Sequence, residues 1–214
     1  MTKPEPNPIA ALLMQNVTRE LVLGVEEALM AGSQRAFGAA RGMDEGHLPH
    51  VVGQLRHFHM NEALYRTFAA SDAAPSPIRG NGLVTGRAGV FTLARFNIKL
   101  GLWVNGRRSQ TRRQMALANS AIEPLVQPGL FDRALPPSEG VAFFVSCFSG
   151  DLNVLPDVPV SIYIAVPDHT MTGWLFREPL SLFVQRYQEE PAAQDDLANP
   201  TLKRGAQRKN QGDA

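Results

Sequence analysis

The sequence predicts an α+β domain in which N-terminal amphipathic helices pack on a small, mostly antiparallel sheet. In the first third of the chain, apolar residues recur every three or four positions, whereas later they form alternating or nearly continuous runs. Helices first, followed by strands mixed with helices, favour α+β over a doubly wound sheet. With 214 residues, 44% of them hydrophobic, the chain is long and apolar enough for one buried core.

Prolines and charge divide the chain into three parts. Residues 1–8 carry alternate prolines, which disfavour helix, and we expect a flexible N-terminus there. Residues 9–188 are expected to form a single α+β domain with a Pro/Gly-rich loop at 124–140. From residue 189 the composition turns polar and ends in basic pairs, so residues 189–214 are predicted to be a disordered basic tail.

Two helices are predicted in the N-terminal third. Between residues 9 and 40 the apolar side chains mark one face of an amphipathic helix, which we expect to break near Gly24 or Gly32. A second helix is predicted from about Pro49 to Ala70, and the prolines in residues 72–77 end it.

The rest of the domain is predicted to alternate between strands and helix. Residues 83–85 and 90–98 are expected to be strands, residues 100–104 either extend the second or begin another, and residues 107–122 have helix-forming composition. Residues 141–148 and 158–166 are nearly continuous apolar runs, which predict central strands. A last amphipathic segment covers residues 172–188.

Composition also bounds the compartment. The single cysteine, Cys147, excludes an internal disulfide framework and is typical of a reducing compartment. It lies in an apolar run, where a small buried hydrophobe is the expected role. No apolar run is long enough to cross a bilayer and the N-terminus does not resemble a signal peptide, so we expect a cytoplasmic protein without a membrane partner.

Four clustered histidines raise the question of a metal or proton-transfer site: His47, His50, His57 and His59. His57 and His59 point to different sides of a helix, and no cysteine or carboxylate pair completes a ligand set. The chain also lacks a phosphate-binding glycine loop, a nucleophile elbow and a His-Glu-x-x-His helix. We therefore predict no metal, no cofactor and no enzymatic activity.

A basic segment is the second candidate. No acidic residue occurs between Asp72 and Glu123. Four arginines cluster at the start of the predicted helix: Arg107, Arg108, Arg112 and Arg113. Guanidinium groups at this density indicate contact with phosphates or an acidic protein. Cations at a helix N-terminus also oppose the helix dipole, and this small cost in stability favours a functional role. The alternative is a solvated helix face balanced by acidic residues elsewhere.

The third candidate is a short peptide in the Pro/Gly-rich loop, made of Gln127, Pro128, Gly129, Leu130 and Phe131. Adjacent Leu and Phe side chains in such a loop either fold back on the core or fill a partner's pocket. Pro128 holds the preceding residue extended, and the Gln127 amide both donates and accepts hydrogen bonds. The pattern therefore predicts a docking peptide.

This peptide resembles the clamp-binding peptides of bacterial replication proteins, in which a Gln precedes a terminal Leu-Phe pair. Pro128 stands where many of them carry Leu. Those peptides dock in a hydrophobic cleft of the β sliding clamp of DNA polymerase III. A second copy, formed by Gln54, Leu55 and Phe58, lies in the predicted helix and carries His57 in place of the Leu.

With a clamp peptide, a basic flank and no catalytic motif, the chain resembles the SocB-like toxins of the atypical SocAB toxin–antitoxin system. The resemblance implies a toxin that occupies the clamp cleft and blocks replication elongation. It also implies a SocA-like antitoxin that acts as an adaptor for the ClpXP protease, and proximity to DNA. The alternatives are a nucleic-acid-binding protein or nuclease toxin that uses residues 107–113 with His57 and His59, and a scaffold in which Leu130 and Phe131 pack internally.

Overall fold

The computed structural model describes residues 6–126, 137–150 and 155–188. Within these residues one five-stranded sheet has a hydrophobic core on each face, and the longest helices cover the larger core. The helices are α1 (Pro8–Asn16), α2 (Arg19–Ala39), α3 (Leu48–Ala70), α4 (Gln110–Ala116) and α5 (Leu180–Arg186). The strands are β1 (Gly86–Ala88), β2 (Phe91–Lys99), β3 (Gly140–Phe148), β4 (Ser161–Pro167) and β5 (Trp174–Pro179). Short 3-10 segments cover Trp103–Arg108, Leu117–Ala121 and Glu123–Leu125.

The sheet order follows the chain, from β1 to β5. β2 and β3 pair in parallel, whereas the other three pairs are antiparallel, so the predicted α+β fold with a mostly antiparallel sheet is confirmed. β3 and β4 both have strand neighbours on each side, as their apolar runs predicted. Within the described part of the chain, none of the helices combines the length and apolar character needed to cross a bilayer.

Alternation along β2 and β3 builds two cores, one on each face of the sheet. Phe91 and Leu93 point to the face covered by α1, α2, α3 and α5, where they join the larger core. Phe96 and Phe143 point to the other face, where their rings meet edge to face with centroids 5.3 Å apart. The two faces of the sheet therefore place neighbouring residues of one strand in separate environments.

The first predicted helix breaks at Val17, not at Gly24 or Gly32. Val17 is extended (φ −112°, ψ 120°), and the Thr18 side chain accepts a hydrogen bond from the Leu21 amide to begin α2. Gly32 stays helical because α3 packs against it so closely that a Cβ there would lie 3.0 Å from the Met60 Cα. That glycine serves helix packing, which its sequence position alone does not reveal.

Other boundaries also differ from prediction, among them the strand expected at residues 83–85, which lies at Gly86–Ala88. α1 begins at Pro8, inside the expected flexible segment, because the Asn7 side chain accepts hydrogen bonds from the first helical amides. Residues 100–104 form no strand, since the chain turns at Gly101 with φ +83°. β5 was missed in the 172–188 segment because its apolar run is only three residues long and, of its residues, only Phe176 is buried.

The last described helix closes the larger core. Leu180 and Phe183 of α5 are fully buried. The Tyr187 hydroxyl donates a 2.5 Å hydrogen bond to the Val17 carbonyl at the break between α1 and α2. Burial, with the nearby charge of Glu20, raises the pKa of this phenol above its usual range, so it remains a donor at neutral pH.

The hairpin between β1 and β2 contacts the end of α1 through the Asn16 side chain. Gly89 has φ +55°, and the Asn16 side chain accepts a hydrogen bond from the next amide, Val90. A Cβ at Gly89 would overlap Asn16, whereas Gly80, with φ +48°, has open space around it. We expect Gly89→Ala to lower the free energy of unfolding by ~2–3 kcal/mol, from left-handed strain and the lost hydrogen bond.

Urea denaturation measures this loss, with Gly80→Ala as the control for backbone strain alone. The control is expected to lose only ~1 kcal/mol. Equal losses in the two variants would show that the Asn16 contact adds nothing.

Candidate functional site

The predicted docking peptide, Gln127, Pro128, Gly129, Leu130 and Phe131, lies outside the described residues. The chain on either side of it is fixed. Leu125 and Val126 pack against the larger core, and the Gly140 amide donates a 2.9 Å hydrogen bond to the Val90 carbonyl. Described residues before and after the segment 127–136 are thus packed in the domain.

A polar contact holds Glu123, four residues before Gln127. The Glu123 carboxylate accepts a 2.7 Å hydrogen bond from the His169 backbone amide and lies 2.7 Å from its Nδ1. His169 follows Asp168, whose carboxylate accepts hydrogen bonds from the amides of Thr170 and Thr172. Partial burial of Asp168 favours a raised pKa, but these hydrogen bonds outweigh it and the pKa is lowered. The turn between β4 and β5 is therefore a rigid support for Glu123.

The second copy of the clamp motif lies within α3. Gln54 is exposed, Phe58 is 40% exposed and Leu55 is half-buried. Because the backbone groups of this stretch form the helix, the three side chains cannot align along an extended peptide groove without unfolding α3. α3 also packs along α2 over much of its length, which opposes such unfolding.

The basic cluster divides into two kinds of arginine. Arg107, Arg108 and Arg113 are exposed. Arg112 is half-buried instead: its guanidinium donates hydrogen bonds to the carbonyls of Gly106 (2.7 Å) and Asn105 (3.3 Å). It also lies 4.6 Å from the centroid of the Phe96 ring, and burial lowers its pKa. Arg112 therefore holds the 3-10 segment and α4 on the sheet, and only the other three remain for a partner.

The structure does not bring the histidines to this cluster. His57 lies on α3, and its carbonyl accepts a 2.7 Å hydrogen bond from Arg95. Arg95 and Phe96 are consecutive residues of β2 and point to opposite faces, so the sheet separates His57 from Arg112. Burial and the charge of Arg95 lower the pKa of His57, which favours its neutral form. Among the described residues, no three His, Cys, Asp or Glu side chains are grouped to hold a metal ion.

Arg95, which the sequence analysis did not single out as a buried residue, lies in the interior with only 3% of its surface exposed. Its guanidinium donates to the Asn61 Oδ1 (3.0 Å), the His57 carbonyl (2.7 Å) and the Asn97 Oδ1 (3.2 Å). Within the described residues no carboxylate pairs with it. Burial lowers the pKa of Arg95 to about 9, so the group is charged at neutral pH and its charge is only solvated by dipoles.

A second buried arginine, Arg56, lies nearby on α3. Its Nε donates to the Ser33 Oγ (3.2 Å), its Nη2 donates to the Pro156 carbonyl, and its guanidinium lies 4.2 Å from the centroid of the Phe148 ring. Burial lowers its pKa, while the charge of Asp157 acts in the opposite direction. Arg56 thereby joins α2, α3 and the connection between β3 and β4.

Sequence signals for both arginines exist. Arg95 occupies the same strand face as Leu93, two positions away, so alternation places a charge towards the core. Arg56 shares a four-residue spacing with Val52 and Met60, both buried. A charged side chain at a position that periodicity assigns to the interior is the informative observation.

A cavity of about 580 Å³ adjoins Arg56 at the carboxyl ends of the parallel strands β2 and β3. The first part of α3 and the chain after β3 complete its walls. Its polar lining includes Arg56, Asn97, Lys99, Asn105 and Ser149. No carboxylate belongs to the described lining, so the two cations give the cavity a positive potential.

Comparison with known proteins identifies no relative. No family model matches the chain, and no curated protein or solved structure matches it either. The resemblance to SocB-like toxins therefore depends on residues 127–131 and on the general organisation of the chain.

The unpaired charge of Arg95 predicts a stabilising substitution. Asn97→Asp places a carboxylate at the atom that already accepts a 3.2 Å hydrogen bond from Arg95 Nη1. We expect the free energy of unfolding at neutral pH to rise by ~1–2 kcal/mol, because an ion pair with the guanidinium replaces its hydrogen bond to a neutral amide.

The pH dependence of this gain provides the control. Arg95 lowers the pKa of the introduced carboxylate in the folded state, so the gain is complete above its unfolded pKa of ~3.9 and is lost as the pH falls through the lower folded value. Chemical denaturation of both proteins at neutral and acidic pH measures it. A gain that persists in strong acid would contradict an ionic origin.

Proposed function

We propose that the protein is the toxin of a toxin–antitoxin system that binds the β sliding clamp and blocks replication elongation. Residues 127–131 compete with clamp-binding replication proteins for the cleft. The observation that carries this proposal is the contrast between the two glutamine motifs. The copy at Gln54 is fixed in α3, whereas residues 127–131 lie in a ten-residue segment between Val126 and Pro137.

Each residue of the peptide has a role in docking. Gln127 is the polar anchor at the mouth of the cleft, and Pro128 and Gly129 set the backbone path. Burying Leu130 and Phe131 contributes roughly 3–5 kcal/mol before the cost of ordering. A segment of this length extends at most ~35 Å, so with both ends anchored its centre projects by up to ~17 Å. That reach brings a five-residue peptide into a surface cleft without unfolding the domain.

The partners beyond the clamp follow from the same resemblance. A SocA-like antitoxin delivers the protein to the ClpXP protease, which removes it and releases replication. The exposed guanidinium groups of Arg107, Arg108 and Arg113 attract the protein towards the DNA that passes through the clamp. This attraction raises the rate of association more than the final affinity.

A binding assay with purified β clamp tests the proposal. We expect Leu130→Ala/Phe131→Ala to weaken binding at least tenfold, since each truncation removes more than 1 kcal/mol of buried apolar contact. The matched control is Gln54→Ala/Phe58→Ala, which removes the corresponding side chains of the helical copy. It is expected to bind as the unmodified protein does.

The outcomes separate the site from the function. Full binding by the loop variant would overturn the assignment to residues 127–131, and loss in the α3 variant would move the site to the helical copy. Failure of the unmodified protein to bind any clamp would overturn the function itself. Circular dichroism of each variant verifies that the fold is retained.

Nucleic-acid binding is the second candidate. One observation favours it: Arg107, Arg108 and Arg113 are exposed, and within the described residues none of them forms an ion pair. Because the sheet separates them from His57, this candidate is a phosphate-binding surface and not a nuclease centre shared with that histidine.

Salt titration of DNA affinity tests the second candidate. If these cations contact phosphates, the triple change of Arg107, Arg108 and Arg113 to Ala reduces the slope of log affinity against log salt by ~2–3. Arg112→Ala is the control: it is expected to lower thermal stability, because it removes two hydrogen bonds and the Phe96 contact. An unchanged slope in the triple variant would exclude the arginine surface.

A further inference from the structure

The cavity beside Arg56 offers hydrogen-bond donors without a competing charge. Two of the three guanidinium nitrogens of Arg56 are occupied, Nε by Ser33 and Nη2 by Pro156. No residue in the described part of the chain accepts from the third, Nη1. Since Arg56 lines the cavity, this nitrogen is the available donor of a buried cation.

Arg95 orients the second donor although it does not line the cavity itself. Its Nη1 donates to the Asn97 Oδ1, which turns the amide so that its nitrogen is the remaining polar group. That nitrogen has only the Met60 sulfur at 3.7 Å, a weak acceptor. Lys99, two residues further along the same face of β2, adds an exposed ammonium group at the rim. Three separate residues therefore present donors to one space.

The electrostatic environment favours an anion. Behind Asn97, Arg95 carries a buried charge with no carboxylate partner among the described residues. The carboxylate that acts on Arg56 belongs to Asp157, which is exposed and screened by water. Burial of the Arg56 and Arg95 guanidinium groups costs desolvation free energy, and an anionic ligand would offset part of that cost.

We infer that this cavity binds a small phosphate monoester, the class that includes nucleoside monophosphates. Such a group is largely dianionic at neutral pH and has three acceptor oxygens, which match donors from Arg56, Asn97 and Lys99. A carboxylate carries only a single negative charge, so it offsets the two cations less than a phosphate monoester does.

The rest of the cavity accommodates the organic part of the ligand. Phe148 and Leu155 supply apolar surface, and about 580 Å³ lies within the range of small-molecule sites. The position at the carboxyl ends of adjacent parallel strands is also where α/β sheets commonly bind ligands. This inference is independent of clamp binding, because it uses neither residues 127–131 nor the exposed arginines.

Isothermal titration calorimetry on the full chain, near physiological ionic strength, tests the inference with three probes. AMP is expected to bind, inorganic phosphate to bind more weakly, and adenosine to show no measurable binding. Lys99→Gln should lower the affinity for AMP by roughly fivefold to tenfold. Asn97→Asp should lower it more strongly, because it places a negative charge among the donors while it stabilises the fold.

Arg87→Gln is the matched control, since Arg87 is an exposed cation on β1, paired with the opposite end of β2 from Lys99. It should leave AMP binding unchanged. Equal losses in Arg87→Gln and Lys99→Gln would reduce the effect to general charge and overturn the site. Equal affinities for AMP and phosphate would show that the cavity does not bind the organic part of the ligand. Adenosine binding as tightly as AMP would overturn the phosphate contacts. No binding of any probe would overturn the inference.

Discussion

The helix-covered face of the sheet depends on one buried guanidinium, that of Arg95. It joins β2 to α3 through Asn61 and the His57 carbonyl, and it does so without a carboxylate within the described residues. Desolvation of this charge opposes folding, whereas the hydrogen bonds and the apolar half of the same face favour it. The buried charge needs its hydrogen-bond acceptors at defined positions, so α3 has one register against the sheet. Apolar side chains alone, which can replace one another, would specify that register less strictly.

That face is therefore divided into two halves. Towards the start of β2 it is a conventional core built around Phe91 and Leu93, whereas towards the end it is polar. Ser146, opposite Asn97 in the parallel pair, is fully buried, and its hydroxyl has no hydrogen-bond partner among the described residues. A polar layer of this kind lowers stability compared with an apolar one, and natural proteins often accept that cost where a site is formed.

Much of this organisation could be predicted from the sequence, and the exceptions have physical causes. The apolar runs of β3 and β4 and the extent of α3 follow from periodicity alone. The break at Val17 does not, because it depends on the side-chain cap of Thr18. The helical conformation of Gly32 likewise depends on its packing against Met60. Periodicity also contained the signal for Arg56 and Arg95, but the buried charge was not recognised, because arginine is more readily interpreted as a surface residue. The docking peptide at residues 127–131 stays a prediction from residue types, because it lies outside the described residues.

The hydrogen bond between Tyr187 and Val17 has a mechanical consequence for the chain. It fixes the end of α5 at the junction of α1 and α2, and Pro6 and Arg186 border one depression. During synthesis the larger core cannot be completed until α5 has left the ribosome. Full packing of the N-terminal helices therefore requires nearly the whole domain. In the opposite direction, an unfolding motor that pulls on residues 189–214 meets α5 first. Detaching α5 removes Leu180 and Phe183 from the core at once, so pulling from that end unfolds the larger core directly.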